Sequence, residues 1–290
     1  MIIRKIKVKK DEKWADLHIH TVKSDGTFTV EDVFQNAKIA GASAVAITDH
    51  DTIDAVDEAL YFEKKYQIEF IPGVELSAIH NEREVHIIGL YINWKDNEFL
   101  ERLTKFQKVR VEREKKIIKK LKDHGIKIKF EELYEITDNM NNAGRLHIAR
   151  LLSEKNIVKS VKEAFDKFLG EGRPAYVEKE RITVKDAINI IKKIGGVAIL
   201  AHPSHLETDE IILKWKEQGL DGLEAYHPDQ PYLISAKYID FARENKLLIS
   251  GGSDCHGNQR DYGRIGDIKL PYEYLEDIRD LYKNRLNGQI

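Results

Sequence analysis

Short apolar runs alternate along the chain with longer stretches in which apolar residues return every three or four positions. Runs of about four to eight residues are typical of buried β-strands, and the longer pattern is typical of amphipathic helices. The predicted strands are 14–19, 44–48, 70–76, 85–92, 197–201, 222–226 and 247–250. The predicted helices between them are 30–40, 53–65, 183–194, 209–218 and 234–245. Strands and helices therefore alternate over most of the sequence.

The helix predicted over 30–40 carries clear signals at both ends. Thr29 precedes it, and Glu31 and Asp32 lie in its first turn, where the helix dipole favours negative charge. Gly41 follows its last apolar position, as a residue that ends a helix commonly does. These signals predict the bounds of the helix independently of its periodicity.

The alternation of elements predicts an α/β fold with a helical insertion. Strands joined through helices pair in parallel, and about seven such units in roughly 200 residues suit a closed or nearly closed barrel. A doubly wound open sheet is the alternative at this stage. Between 97 and 180 the pattern changes to long, highly charged helices such as 98–124. We predict a barrel formed from 1–96 and 181–290, and an inserted helical subdomain over 97–180.

The composition narrows the classes of function. Formal net charge is -2, so there is no general positive field to attract nucleic acid or anionic membrane. The chain has 1 cysteine, Cys255, which excludes an internal disulfide and any cysteine-rich metal site. No run approaches the roughly 18 apolar residues of a membrane span. We expect a cytoplasmic protein with no membrane association, and nothing in the sequence indicates an obligatory protein partner.

Histidines and carboxylates follow the predicted strands. The first strand contains His18 and His20, whose two-residue spacing puts both imidazoles on one face. Asp25 follows in a loop where Gly26 allows a sharp turn. The later strands contribute, in chain order, His50, Glu75, His86, His202, His227, Asp254 and His256. The ends of parallel strands meet at one rim, so these distant residues are expected to be neighbours.

So many ionisable side chains in a small volume need a compensating positive charge. Burial and mutual repulsion would otherwise destabilise them strongly. The ligand supply exceeds what one tetrahedral ion uses, so we expect two or three divalent cations bridged by carboxylates. Glu75 and Asp25 are the natural bridging groups. A single histidine near a strand is more often structural, and it is the joint pattern that favours metal binding.

These residues resemble the motifs of the PHP (polymerase and histidinol phosphatase) superfamily over nearly the whole chain. The matching motifs are His18-Ile19-His20, Thr48-Asp49-His50, Gly73-Val74-Glu75, His86, Ala201-His202-Pro203 and Ser253-Asp254-Cys255-His256. Two further motifs, 144–150 and 224–228, resemble the branch of stand-alone phosphoesterases that act on nucleoside 3',5'-bisphosphates and RNA 5' ends.

The resemblance implies a distorted (β/α)7 TIM-like barrel and a trinuclear manganese, iron or zinc site. One ion would be held by His18, His20, Glu75 and Asp254, a second by Asp25, His50 and His256, and a third by Glu75, His86 and His202. A hydroxide bridging two cations about 3.5 to 4 Å apart would then attack phosphorus. Arg145 and Arg173 would bind phosphate oxygens. His227 would bind phosphate or protonate the leaving oxygen.

The predicted function is that of a metal-dependent phosphoesterase acting on a phosphorylated small molecule or a short oligonucleotide. Histidinol phosphatase is the alternative within the enzyme class, and a non-catalytic PHP module stabilised by metal is the alternative outside it. Three residues that lie beside these motifs in the sequence are not assigned as ligands with the others. Asp49 is either a ligand or a residue that orients His20 or His50, His205 is expected to be solvated, and Cys255 is expected to be packed rather than ligating.

Overall fold

The computed structural model describes residues 13–137, 143–178, 182–258 and 262–288. The strands are β1 Trp14–Asp16, β2 Ala44–Ile47, β3 Glu69–His80, β4 Arg83–Leu90, β5 Ile182–Thr183, β6 Val197–Leu200, β7 Gly222–Tyr226, β8 Leu248–Gly251 and β9 Leu270–Pro271. The α-helices are α1 Val30–Ala40, α2 Val56–Tyr66, α3 Asn97–Asp123, α4 Arg145–Glu154, α5 Val161–Ala164, α6 Val184–Lys193, α7 Glu210–Glu217, α8 Tyr232–Glu244 and α9 Tyr272–Leu286.

The strands form one sheet that curves into a nearly closed barrel. The order is β8-β7-β6-β4-β3-β2-β1-β9, and β5 pairs with β3. The ring closes between the segments that follow β1 and β8. There the Leu17 N–H donates to the Gly251 carbonyl at 3.1 Å, and the His20 N–H donates to the Cys255 carbonyl at 2.9 Å. Seven strands thus surround the core, with β9 and β5 outside the ring. The predicted α/β barrel is confirmed, and the open doubly wound sheet is wrong.

One part of the barrel departs from the β/α repeat. β3 and β4 form an antiparallel hairpin, and β4 is also antiparallel to β6. The hairpin turn is made by Asn81 and Glu82, which both have positive φ (47° and 65°), the conformation that tight hairpins use. β3 therefore runs on to His80, beyond its predicted end at 76. A sequence reading of uniformly parallel strands misses this reversal, because apolar runs carry no direction.

The end signals of α1 act as the sequence predicts. The Thr29 hydroxyl accepts the Asp32 N–H at 3.1 Å, and the Asp32 carboxylate accepts the Thr29 N–H at 2.9 Å. Gly41 ends the helix with φ 79°, in the left-handed region. The helix observed is 30–40, as predicted. The other predicted helices are found with ends that differ by a few residues, whereas β5, β9 and α9 were not predicted.

The insertion has a hydrophobic cluster of its own. The buried residues of this cluster run from Ile117 to Ala175. The first turns of α3 behave differently, because Phe99 and Leu103 pack into the barrel core with Ile190. α3 therefore reaches from the barrel into the insertion. The predicted division at 97 and 180 stays a prediction, and residues 138–142 and 179–181 within and beside it lie outside the described chain.

None of the helices in the described part of the chain combines the length and the apolar character that crossing a membrane requires.

Candidate metal centre

The residues that follow β1 place two imidazoles against two carboxylates. His18 Nε2 lies 3.3 Å from Glu75 Oε2 and 3.4 Å from Asp254 Oδ1. His20 Nε2 lies 3.1 Å and 3.2 Å from the same two oxygens. The two Nε2 atoms are themselves 3.0 Å apart. Four side chains from three segments of chain thus point their ligand atoms at one small volume.

A second group forms around Asp25. Its Oδ1 lies 3.3 Å from His256 Nε2, and its Oδ2 lies 4.0 Å from His50 Nε2. The loop that carries Asp25 turns sharply at Gly26, where a Cβ atom would lie 2.6 Å from the His20 carbonyl oxygen. Only glycine fits this close approach, so the requirement that the sequence suggested at Gly26 is real.

The third group surrounds the other oxygen of Glu75. His86 Nδ1 lies 3.0 Å from Glu75 Oε1, and His202 Nε2 lies 3.4 Å from it. His50 Nδ1 approaches Oε2 at 3.1 Å. β4 is antiparallel to β6, and this pairing places His86 opposite the end of β6. The His86 carbonyl accepts the N–H of Ala201, the residue directly before His202, at 3.1 Å. The strand reversal is what brings His86 to the rim.

The nine residues predicted as ligands therefore converge on one end of the barrel. Three sets of their ligand atoms, each within 4.8 Å of one another, could hold an ion: His20 with Asp25, His50 and His256; His18 with His20 and Asp254; and His50 with Glu75 and His86. Both oxygens of the buried Glu75 and Nδ1 of His50 make no hydrogen bond among the described residues. Buried polar atoms normally have partners, so these atoms fit ligands of cations.

Each imidazole has an inner nitrogen that faces the ligand groups and an outer nitrogen that faces away from them. In three of the rings, the contact of the outer nitrogen determines which nitrogen carries the proton. His18 Nδ1 faces Glu224 Oε1 at 3.1 Å, His86 Nε2 faces Glu84 Oε1 at 3.2 Å, and His256 Nδ1 faces the Asp254 carbonyl at 2.8 Å. An ionised carboxylate or a carbonyl only accepts, so each outer nitrogen must carry the proton. The inner nitrogen of each ring then keeps its lone pair, which is the form that binds a metal.

His227 has the opposite arrangement. Its Nδ1 accepts the backbone N–H of Asp229 at 3.2 Å, so the proton of the neutral ring lies on Nε2. The ring is buried, and Nε2 lies 3.5 Å from Asp254 Oδ2 without a hydrogen bond among the described residues. His227 therefore points a donor into the site, where the neighbouring imidazoles point lone pairs.

The electrostatics of the rim favour bound positive charge. Burial by itself raises the pKa of Glu75, but the imidazoles of His50, His86 and His18 hold it well below its usual value. Burial likewise lowers the pKa of His20, yet the close approach of the Asp254 and Glu75 carboxylates raises it to about 10. The carboxylates thus stay ionised and draw protons onto neighbouring rings when no other cation is present.

Several residues near the rim have roles that the sequence left open or missed. Asp49 accepts the Thr21 N–H at 2.7 Å and the Ser24 hydroxyl at 2.5 Å, so it holds the loop that carries Asp25. His205 is exposed, as the sequence predicts, and its ring lies 4.7 Å from that of His202. Cys255 is buried in an apolar cluster, and burial raises the pKa of its thiol to about 11.

Two adjoining cavities open above the rim. The larger, of about 630 Å³, is lined by seven of the nine predicted ligands, all except His18 and His20, and, from the insertion, by Leu146, Arg150 and Val161. The smaller, of about 170 Å³, shares Asp25, His50 and Leu146 with the first and is also lined by Glu84 and by three arginines. Of these arginines, Arg110 pairs with Asp51 and Arg113 with Glu114, and the third is Arg145. The insertion is therefore the source of the positive charge beside the carboxylate-rich rim.

The two arginines predicted to bind phosphate lie in different places. Arg145 lines the smaller cavity, where its guanidinium lies over the rings of Phe165 and Tyr176. Arg173 is exposed in the turn that follows Gly170. Arg150 is closer to the predicted ligands than either, because its guanidinium donates to the Asp25 carbonyl at 2.7 Å. The periodicity of a helix does not show which of its arginines faces a cavity formed with another domain.

Comparison with known proteins identifies the family and agrees with the barrel fold. The family model of the PHP domain matches residues 16–222. The chain is 30% identical, over 87% of its length and 92% of the relative's, to the 3',5'-nucleoside bisphosphate phosphatase of Chromobacterium violaceum. It is 32% identical to the 5'-3' exoribonuclease of Haemophilus influenzae, over 83% of this chain and 89% of that one. A solved structure of a proposed metal-dependent phosphoesterase from Bifidobacterium adolescentis superposes with a TM-score of 0.85 at 26% identity, covering 93% of this chain and 96% of that chain.

Proposed function

The chain belongs to the PHP domain family of metal-dependent phosphoesterases, and we propose that it hydrolyses a phosphate ester of a nucleotide. The substrate is a nucleoside 3',5'-bisphosphate or the 5' end of a short RNA. The names of the two relatives above support these two substrates. The observation that carries the proposal is the position of Glu75, whose two oxygens meet imidazole nitrogens of separate ligand groups at 3.0 to 3.4 Å.

We assign the three predicted groups of ligands to three ions. Their members are His18, His20, Glu75 and Asp254; then Asp25, His50 and His256; then Glu75, His86 and His202. Oxygen and imidazole ligands of this kind suit manganese, iron and zinc alike. Such ions, when bound, lower the pKa of water and neutralise charge that develops on phosphate oxygens.

The side chains beside the ions orient the substrate. Nε2 of His227 carries a proton and lies 3.5 Å from Asp254 Oδ2, so beside a bound ion it donates to a phosphate oxygen or to the leaving oxygen. Arg150 lines the larger cavity and adds a positive charge near Asp25. The chain thus supplies donors for phosphate oxygens from both the barrel and the insertion.

The smaller cavity distinguishes the possible substrates. Arg110, Arg113 and Arg145 lie there beside the ligands Asp25 and His50, and guanidinium groups bind phosphate in a bidentate manner. A bisphosphate, or an RNA end with a neighbouring phosphodiester, presents a second anion to this cavity. Histidinol phosphate presents a cationic amine instead, which gains nothing from a guanidinium group such as that of Arg145. The arginines therefore favour the nucleotide over the alternative phosphatase substrate.

The test compares substrates and metal states. Chelator-treated protein is expected to lose hydrolysis of adenosine 3',5'-bisphosphate and to regain it with manganese. A double variant, Asp254→Ala with His256→Ala, is expected to stay inactive because each change removes a proposed ligand. Full activity of the double variant, or hydrolysis unaffected by chelation, would contradict the proposal. A folded protein that binds manganese and hydrolyses no substrate would instead be the non-catalytic module.

Side-by-side values of kcat/KM for the bisphosphate, a 5'-phosphorylated short RNA and histidinol phosphate then identify the substrate class. If the RNA is preferred, its affinity falls steeply with salt, because several phosphates release counterions. A flat salt response with a preference for the bisphosphate restricts recognition to one or two phosphates. Preference for histidinol phosphate would overturn the assignment of the arginine cavity.

A further inference from the structure

A buried carboxylate on β7 connects two of the proposed ligands. Glu224 is fully buried, and its Oε1 and Oε2 lie 3.1 and 3.3 Å from His18 Nδ1. Oε2 also accepts the backbone N–H of His202 at 2.9 Å. His18 follows β1 and His202 follows β6, so one side chain joins residues from two separate segments of the rim.

Each contact has a direct effect on a ligand. The carboxylate keeps the proton of His18 on Nδ1, so Nε2 presents its lone pair to Glu75 and Asp254. The second contact anchors His202 at a backbone position with φ 29°, which non-glycine residues rarely adopt. The rings of His18 and His202 lie nearly parallel, with 6.1 Å between centroids and 23° between planes.

We propose that Glu224 is a positioning residue that sets both the proton position of His18 and the backbone of His202. This inference rests on the proposed function, which assigns His18 and His202 to different ions. One carboxylate therefore determines the geometry of two ion positions, and losing it weakens both.

Glu224→Gln tests this without creating a cavity. Both partners of Glu224 are donors, and a glutamine offers one acceptor and one NH₂ group in the same volume. Either the NH₂ group of the glutamine faces a donor, which is unfavourable, or the proton of His18 moves from Nδ1 to Nε2. In the second case Nε2 of His18 no longer has the lone pair that would bind a metal. Asp221→Asn is the matched control, because Asp221 is a buried carboxylate directly before β7 that accepts the Ala198 N–H at 2.9 Å and pairs with Arg285.

Equilibrium dialysis of the metal-free proteins against manganese is the main measurement. The half-saturating manganese concentration of Glu224→Gln is expected to rise about 10- to 100-fold, the usual effect of losing a group that orients a metal-binding histidine. Asp221→Asn is expected to keep the wild-type value, and its thermal stability alone is expected to fall. The absorption spectrum of the cobalt-loaded protein is expected to change in Glu224→Gln and not in the control.

The outcomes separate this inference from the proposed function. Wild-type protein that takes up no metal would contradict both the proposed function and the role of Glu224. Wild-type protein that binds metal and is active, with Glu224→Gln matching its manganese affinity and cobalt spectrum, would overturn the role of Glu224 alone. If Glu224→Gln does not fold, Glu224→Asp keeps both acceptors and is expected to bind metal only moderately more weakly, whereas wild-type affinity in Glu224→Ala would contradict the inference.

Discussion

The chemical role of each histidine at the rim depends on the group that contacts its outer nitrogen. His18, His86 and His256 each have an acceptor on the outer nitrogen, and His227 has a donor there. The difference is one hydrogen bond per ring, yet it separates rings that present a lone pair from a ring that presents a proton. Residue type alone does not show this, because all four are histidines beside predicted strands.

The same dependence on surroundings appears in His147, which lies in the motif 144–150. It is buried at the start of α4, and its Nδ1 accepts the Gly144 N–H at 3.0 Å. Burial lowers the pKa of this ring to about 4. The contact with Gly144 and the burial support packing, and the residue also lines the smaller cavity.

Protonation of His147 is expected to destabilise the fold. Its folded pKa lies below the unfolded value of about 6.5, so the unfolded chain binds more protons and stability falls as pH drops from about 6.5 to about 4. His147→Asn keeps an acceptor for Gly144 and does not titrate. Over this pH range its free energy of unfolding is therefore expected to fall by up to about 3 kcal/mol less than that of wild type. Urea unfolding at pH 7 and pH 4 measures the difference, with His124→Asn, at the exposed end of α3, as control. Equal pH dependence in wild type and His147→Asn would contradict the assignment.

At the scale of elements, the barrel closes where β1 and β8 end. The ladder there gives way to single backbone contacts, such as the one from Leu17 to Gly251. Asp16 supports the junction, since its carboxylate accepts the Ser253 N–H at 2.8 Å. The predicted strand 14–19 is shorter in the structure, where β1 ends at Asp16 and the side chains of Leu17 and Ile19 pack into two core clusters.

Gly252 is where the two segments approach most closely, and its replacement is expected to disturb the metal centre. A Cβ atom there would lie 2.4 Å from both the backbone nitrogen and the Cβ of His18. Gly252→Ala is expected to cost about 3 kcal/mol of stability and to lower the manganese bound per chain, because His18 must move. Gly125→Ala is the control for metal content: no atom lies within 4 Å of a new Cβ, and although φ 82° costs an alanine some stability, the variant is expected to bind metal normally. Thermal unfolding and metal analysis of both variants check this, and normal metal content in Gly252→Ala would show that His18 tolerates the shift.

At the scale of the whole molecule, the insertion and the barrel supply opposite charges to one space. The rim is rich in carboxylates, and the insertion brings Arg110, Arg145 and Arg150 over it. Arg110 also pairs with Asp51, which accepts the Ser77 N–H at 2.9 Å, so α3 is fixed to the end of β2 and to β3. This division of charge suits a site that holds cations below and anions above.

Metal binding is expected to stabilise the whole fold, because its ligands come from most of the barrel strands. An ion at 100 times its Kd adds about 2.7 kcal/mol, and each kcal/mol raises the Tm of a chain of this size by roughly 2 to 4 °C. Manganese added to chelator-treated protein is therefore expected to raise its Tm by about 5 to 10 °C in differential scanning calorimetry. The Asp254→Ala, His256→Ala double variant is expected to show a much smaller rise. An unchanged Tm in the wild type would contradict binding across the strands.

The sequence by itself determined the alternation of strands and helices, the bounds of α1 and the identity of residues with ligand chemistry. These features depend on interactions within a few positions, such as the capping of Thr29 and the two-residue spacing of His18 and His20. The alternation favoured a barrel over an open sheet, the family motifs added the phosphoesterase function, and the comparisons agree with both.

Only the tertiary structure decided what depends on contacts between distant segments. The direction of β4 is set by its pairing with β3 and β6, and this direction brings His86 beside Glu75. The proton position of His18 is set by Glu224, which is 206 residues away in sequence. A local pattern of apolar and polar residues carries no information about either contact, because burial and hydrogen bonding between remote segments exist only once the barrel has closed.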